Sequence, residues 1–372
     1  MPALFIALCL FFAAPAFAGD TIRVALQQNV ESVTVASASG LSARAPDDDV
    51  QANGRMTISN GGRGLIVDGR RLRSERIEIR GRNGETTVNG LTVPGKVIVK
   101  RQNGRLLTIN ELDLEDYLKG VVPAEMNASW NPEALKVQAI AARTYAVYQL
   151  RQNGSNGKKD FDVLASTKDQ VYRGRAGADG PGGRAVEQTR DLVLAYNDQP
   201  VFAAYHSTAA GPTEDAMHVW SLDLPYLKGV ECPFDMNAPN YQWRSDVALT
   251  VLERRLREEN FPVGVIASLT PAVYSKSGRV AQVRVLHSDG ELYLKGEDLR
   301  RVLGYTVVAS TQFDIEFSGL RLQFTGRGAG HGVGLCQWGA KELAERGYPA
   351  ETILRYYYPG TELRELASLP RR

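Results

Sequence analysis

Histidine and cysteine are scarce in this sequence, with four and three among 372 residues. The candidate metal ligands are His206, His218, Cys232, His331 and Cys336, and their spacings match no paired zinc pattern, so neither a metal nor a cofactor is expected. Net charge is also small, at +2. The concentrated basic face of a nucleic-acid binder is missing, so no nucleic-acid partner is expected, although arginines do gather between Arg63 and Arg82. Beyond the N-terminus no apolar run is long enough to span a bilayer. The G-x-S-x-G elbow of a serine hydrolase and the Gly-Lys-Ser/Thr of a phosphate loop are both absent. What remains is 43% apolar and 23% charged residues, a composition that suits a folded globular chain with a proper core.

The first residues set the expected compartment. Ala3 to Phe12 is apolar, and Ala16-Phe17-Ala18 reads as a signal-peptidase site, although the start lacks Lys or Arg. The run is short for a membrane span, and Leu10 after Cys9 argues against lipid attachment. Residues 1–18 are therefore expected to be a signal peptide. The mature protein is expected to be exported, periplasmic or cell-wall-associated, with no membrane span after cleavage. It keeps Cys232 and Cys336, which could form one disulfide or remain two buried thiols.

The pattern predicts an α+β fold: a β-rich region over 19–108, then a mixed α/β catalytic domain over 109–365 with one long Ala-rich helix. Short β-rich runs such as Thr21 to Leu26, Val33 to Ala36 and Lys96 to Lys100 alternate with Asn-Gly turns at 53–54, 60–61 and 83–84. Asp113 is placed to cap a short helix over Leu114 to Lys119, with Gly120 as its stop. Asn131 and Pro132 open the long helix, which should run to about Gln152. Residues 153–184 read as a long loop with one short strand. Later helices are expected near Leu249 to Glu259, Leu335 to Arg346 and Ala350 to Tyr357.

Glu125 is the sharpest single residue. Four apolar residues precede it and a methionine follows, and a carboxyl held in such surroundings is desolvated and keeps its proton to higher pH. Such a group can protonate a glycosidic oxygen near neutrality. Residues 326–334 place a glycine at every second position, leaving one side bare so that a backbone or a sugar ring can lie against it. His331 projects from that loop. His206-Ser207-Thr208 ends a strand. Its Ser and His point to opposite faces, so it reads as a binder of hydroxyl groups rather than a nucleophile pair. Trp220, Tyr226, Trp243, Trp338 and Tyr356 to Tyr358 are candidates for stacking on sugars.

Four ordered blocks carry a resemblance. They are Glu115-Asp116-Tyr117-Leu118-Lys119-Gly120-Val121-Val122-Pro123-Ala124-Glu125-Met126, then Glu133 to Tyr145 (EALKVQAIAARTY), then His206-Ser207-Thr208 with Gly211, Thr213, Glu214 and Pro225-Tyr226-Leu227. The last is Gly328-x-Gly330-His331-Gly332-Val333-Gly334 followed by Gln337-Trp338-Gly339-Ala340. Together they resemble the SpoIID/LytB family, that is, stage II sporulation protein D and its amidase-enhancer relatives. The resemblance implies a peptidoglycan lytic transglycosylase acting on glycan strands stripped of stem peptides, with Glu125 as the catalytic acid/base. One carboxyl suffices, because the sugar's own 6-hydroxyl attacks the anomeric carbon and leaves a 1,6-anhydro-muramyl end. It also implies Arg143, His206, Ser207, His331 and Gln337 as substrate-binding cleft residues. Cys232 and Cys336 stand where relatives usually have Ser, which in an exported protein implies a disulfide between them. The zinc site of some relatives is not rebuilt here, since Pro212 and Met217 occupy its neighbourhood. The enhancer branch implies an alternative, a non-catalytic activator of a cell-wall amidase that binds peptidoglycan. A structural wall-binding protein is a further one.

Overall fold

The computed structural model describes residues 20–48, 50, 53–156 and 159–370, with side chains omitted at 154–156. The expected signal peptide over 1–18 lies outside the described residues. The fold is α+β, as the residue patterns predict. Two six-stranded sheets open the chain. The first runs, in spatial order, Val163–Leu164, Thr21–Val30, Arg105–Asp113, Lys96–Gln102, Arg76–Gly81 and Leu41–Arg44. The second runs Arg70–Arg71, Leu65–Val67, Arg55–Asn60, Ser32–Ala36, Glu85–Val88 and Leu91–Pro94. Alternating apolar residues such as Ile22, Val24, Val33, Val35, Met56 and Ile58 are buried in one core shared by both sheets. Within these two sheets the two-residue turns with left-handed backbone at both positions are Asp68-Gly69, Asn89-Gly90 and Asn103-Gly104. The Asn-Gly pairs at 53–54 and 60–61 do not adopt that conformation.

Eight helices occur among the described residues: α1 (Leu114–Glu125), α2 (Pro132–Asn156), α3 (Pro181–Gln188), α4 (Ala216–Trp220), α5 (Leu249–Glu258), α6 (Gly296–Leu303), α7 (Gln337–Glu345) and α8 (Ala350–Tyr357). None is long and apolar enough to cross a membrane. Asp113 does cap α1, its carboxylate accepting from the Glu115 and Asp116 N–H groups. The expected stop at Gly120 is wrong. A Cβ there would lie 2.5 Å from both the Gly174 carbonyl oxygen and the Tyr172 ring. The glycine serves close approach, and the helix continues through Pro123 to end on Glu125. Asn131 opens α2 by accepting from the Glu133 N–H at 2.9 Å. Apart from the half-buried Lys136, residues 134 to 147 of α2 are all buried, so this helix is the axis of the main core rather than an amphipathic surface helix.

A second, separate core lies inside the chain. Leu252, Leu256, Leu269, Val283, Val285, Leu299 and Phe324 are among its buried residues. It is built from α5, α6 and two three-stranded sheets, one of Gln242–Ala248, Arg321–Arg327 and Phe313–Ser318, the other of Ile266–Tyr274, Val280–His287 and Gly290–Lys295. Where the chain returns from this unit to the main core it forms the glycine-rich loop.

Candidate functional site

A cleft of about 740 Å³ opens where the two cores meet. Its lining includes Glu125 from the end of α1, Tyr205, His206 and Ser207, Trp220 from the end of α4, His331 from the glycine loop, and Gln337 from the start of α7. The second unit contributes Glu297, Arg300 and Arg301 of α6, and Tyr305 just beyond it. Residues about 210 positions apart in the chain therefore share one wall.

The Glu125 carboxyl is half-buried and oriented. The Val171 N–H donates to its Oε1 at 2.7 Å, and the Tyr205 hydroxyl and Gln337 amide also act on it. Burial raises its pKa above the ordinary carboxylate value, and these three hydrogen bonds, which favour the charged form, only partly oppose that. The positioning network extends behind it. Tyr117 donates to Gln170 Oε1 at 3.0 Å, and Gln170 Nε2 donates to the Tyr205 hydroxyl at 3.1 Å. Gln337 Nε2 donates to Gln138 Oε1 at 3.1 Å. The carboxyl is thus held in place on a backbone and side-chain lattice, as a general acid requires.

His206 and His331 lie side by side with their rings tilted by 57° and ring centres 5.6 Å apart. His206 Nδ1 donates to the Val333 carbonyl at 3.1 Å, which leaves Nε2 as a buried acceptor with no partner. His331 Nδ1 accepts from the Val333 N–H at 3.1 Å, so its proton sits on Nε2. Burial pushes both imidazoles down, His331 to about 3, so both are neutral and can position hydroxyl or amide groups without adding charge. Trp220 is exposed on the cleft wall and packs on His331, with centres 4.8 Å apart. Tyr305, also exposed, lies under the Arg300 guanidinium at 4.5 Å.

The glycine loop does not present its bare side to the cleft. Gly328, Gly330, Gly332 and Gly334 all have positive φ, and the protein's own atoms fill the space. A Cβ at Gly330 would lie 2.6 Å from His206 Cβ, and one at Gly334 would lie 2.2 Å from the Ala204 carbonyl oxygen. The loop packs on the 204–209 segment and so brings His206 and His331 together.

Three expectations are corrected by position. Arg143, expected to bind substrate, does not line the cleft. It is fully buried, pairs twice with Glu115 at 2.7 Å, and donates to the Val186 and Leu192 carbonyls at 3.1 and 3.2 Å. The disulfide expected between Cys232 and Cys336 is not formed, and both are buried free thiols. Each sulfur has its own polar partner, Tyr357 hydroxyl at 3.2 Å for Cys232 and Asp235 Oδ2 at 3.3 Å for Cys336. Of the candidate stacking aromatics, only Trp220 lines the cleft. Tyr226, Tyr357 and Tyr358 are buried in the main core, Trp243 packs against the second core and Trp338 packs on Trp130.

Glu297 was not singled out from the sequence. It lines the cleft, burial raises its carboxyl pKa, and its Oε1 is buried without a partner, while Oε2 accepts from Arg300 at 3.4 Å. A polar run between two strands gives no local sign of this position. Its chemistry comes from the packing of α6 over the Glu125 wall.

Comparison with known proteins places these blocks in context. Residues 102–196 match a family described as stage II sporulation protein, and residues 228–334 match a domain family of unknown function. The chain is 34% identical to stage II sporulation protein D of Bacillus subtilis over 69% of its own length and 76% of that protein. It is 33% identical to an uncharacterized protein of Brachyspira hyodysenteriae over 74% and 73% of the two lengths. It is also 31% identical to the amidase enhancer of Bacillus subtilis, over 66% of its length but only 40% of the enhancer.

Proposed function

The chain belongs to the SpoIID/LytB family of stage II sporulation protein D and the amidase enhancer, and on that premise we propose that it is an envelope enzyme of the cell wall, a lytic transglycosylase that cleaves peptidoglycan glycan strands lacking stem peptides. The observation that carries this reading is the Glu125 carboxyl, raised by burial and aimed into a cleft large enough for several sugar rings.

The chemistry follows from that group. Protonated Glu125 gives its proton to the departing glycosidic oxygen as the bond to the anomeric carbon breaks. The 6-hydroxyl of the same muramyl sugar attacks that carbon, and the Glu125 carboxylate takes the hydroxyl proton, which returns the acid to its starting state. One carboxyl serves both halves, and the intramolecular attack makes positioning a large part of the rate. Trp220 offers an apolar face for a sugar ring, and neutral His206, His331, Ser207 and Gln337 offer hydrogen bonds to its substituents.

The test is digestion of stripped glycan strands with mass analysis of the ends. Wild-type protein should release 1,6-anhydro-muramyl ends, and Glu125→Gln should lose about 10²–10⁴-fold of that rate. Wild-type protein that yields no anhydro ends would sink the enzymatic reading. A second reading, activation of a cell-wall amidase by a peptidoglycan-bound protein, is favoured by the likeness to the amidase enhancer. It requires that Glu125→Gln stimulate an amidase as well as the wild type does.

A further inference from the structure

Away from the cleft, three metal-ligating side chains converge inside the main core. Cys232 and Asp235 come from the segment after α4, and Cys336 comes from the residue that caps α7. Each is at most 1% exposed. One ligand atom of each lies within 4.8 Å of those of the other two, and the Tyr357 hydroxyl stands 3.2 Å from the Cys232 sulfur. Linear spacing hides the set, because about a hundred residues, including the whole second core, separate Asp235 from Cys336.

We propose that Cys232, Asp235 and Cys336 form a buried zinc site that staples the segment after α4 to the start of α7, with the Tyr357 hydroxyl or a water as fourth ligand. Two thiolates and one carboxylate oxygen are a donor set suited to a borderline-soft divalent ion. Tetrahedral zinc with Zn–S bonds of about 2.3 Å holds its donors roughly 3.5–3.8 Å apart, so the set closes around an ion by movements of about 1 Å or less.

Two further features point to a cation. The first is Asp235. Its Oδ2 accepts from the Ala209 and Ala210 N–H groups at 2.7 and 2.8 Å, while its Oδ1 is buried and has no partner. A carboxylate oxygen left unpaired in a core is costly, and a metal ion supplies the missing interaction. The second is the Cys336 sulfur, which accepts from the Gly339 N–H at 3.4 Å and is reached at the same distance by the Ala209 N–H that Asp235 Oδ2 shares. Its lone pairs are already turned to acceptor duty, as a metal-bound sulfur's are. Binding releases the two thiol protons and leaves a site charge of −1. The buried Arg279 guanidinium, which donates to the Ala209 carbonyl at 2.8 Å, offsets that charge. The ion would also fix the start of α7, and therefore Gln337 on the cleft wall.

The test uses the mature full-length protein purified without chelator. Metal per chain is counted by mass spectrometry, and alkylation of Cys232 and Cys336 is mapped before and after a strong chelator. About one zinc per chain is expected, with both cysteines protected until the chelator is added. Asp235→Asn and Cys336→Ser should each weaken zinc binding by at least about tenfold. Because a changed core residue can prevent folding, the wild type is also stripped and loaded with Co²⁺. Tetrahedral d–d bands and a thiolate charge-transfer band are expected. A disulfide between Cys232 and Cys336 overturns the site, as do two thiols that alkylate equally with and without zinc, or a cobalt spectrum typical of oxygen ligands alone.

Discussion

Arg143→Met separates a structural role for that arginine from a substrate-binding one. The wild-type guanidinium is fully buried, makes two charged hydrogen bonds to Glu115, and satisfies two backbone carbonyls between α3 and the strand Leu192–Tyr196. Removing one member of such a pair leaves Glu115 charged in the core and costs about 3–5 kcal/mol. With about 2.1 cal/mol/K of unfolding entropy per residue over roughly 350 residues, that loss lowers Tm by roughly 4–7 °C. The Glu115→Leu/Arg143→Met double variant removes both charges and should recover most of the loss, because an apolar pair of similar volume replaces a buried ion pair at little cost. Thermal unfolding followed by circular dichroism measures the three variants, and KM for stripped glycan is measured alongside. An unchanged Tm for Arg143→Met together with a raised KM would mean that Arg143 reaches substrate, and the structural assignment would fall.

Four other outcomes follow from the cleft. Glu125 has a folded-state pKa raised above its unfolded value, so its burial costs stability that grows as pH rises from the ordinary carboxylate range through the raised value. Glu125→Gln should therefore melt above the wild type at neutral pH, with the gap closing on acidification, and a gap that widens in acid contradicts the burial argument. The rate of glycan cleavage by the wild type should fall as pH rises through the same window, since the acid must be protonated; a pH–rate profile checks this. Gly330→Ala forces a side chain into φ 105° and against His206 Cβ, and should cost about 2 kcal/mol or more, read by urea denaturation. Trp220→Ala should raise KM roughly three- to tenfold with little change in Tm, because its ring lies at the cleft surface.

Local chemistry was legible where local physics decides it. Asp113 and Asn131 announced their helix starts because a side-chain acceptor before an apolar run has few other uses. Glu125 was visible because its apolar neighbours in sequence are also its neighbours in α1. Gly120 misled because a helix stop and a close-contact site leave the same letter in a sequence. Arg143 misled because motif membership says that a residue matters without saying whether sugar or protein is its partner. Glu297 and the second core were hidden by distance. The residues that give α6 its role are on α1, 170 positions away, and no pattern within α6 records them. The two cysteines point to an oxidised pair because both stand where relatives usually have Ser in an exported protein, whereas Asp235, which the fold buries beside them, looks in the sequence like an ordinary loop carboxylate.

The end of α1 has one more consequence. Glu125 is the last residue of that helix, and no basic side chain occupies the final turn. The peptide dipoles of α1 therefore gather a partial negative charge beside the carboxyl, which discourages ionisation just as loss of water does. The helix contributes as an electrostatic element as well as a support. A lysine engineered into its last turn would draw the proton off the acid without touching the cleft wall.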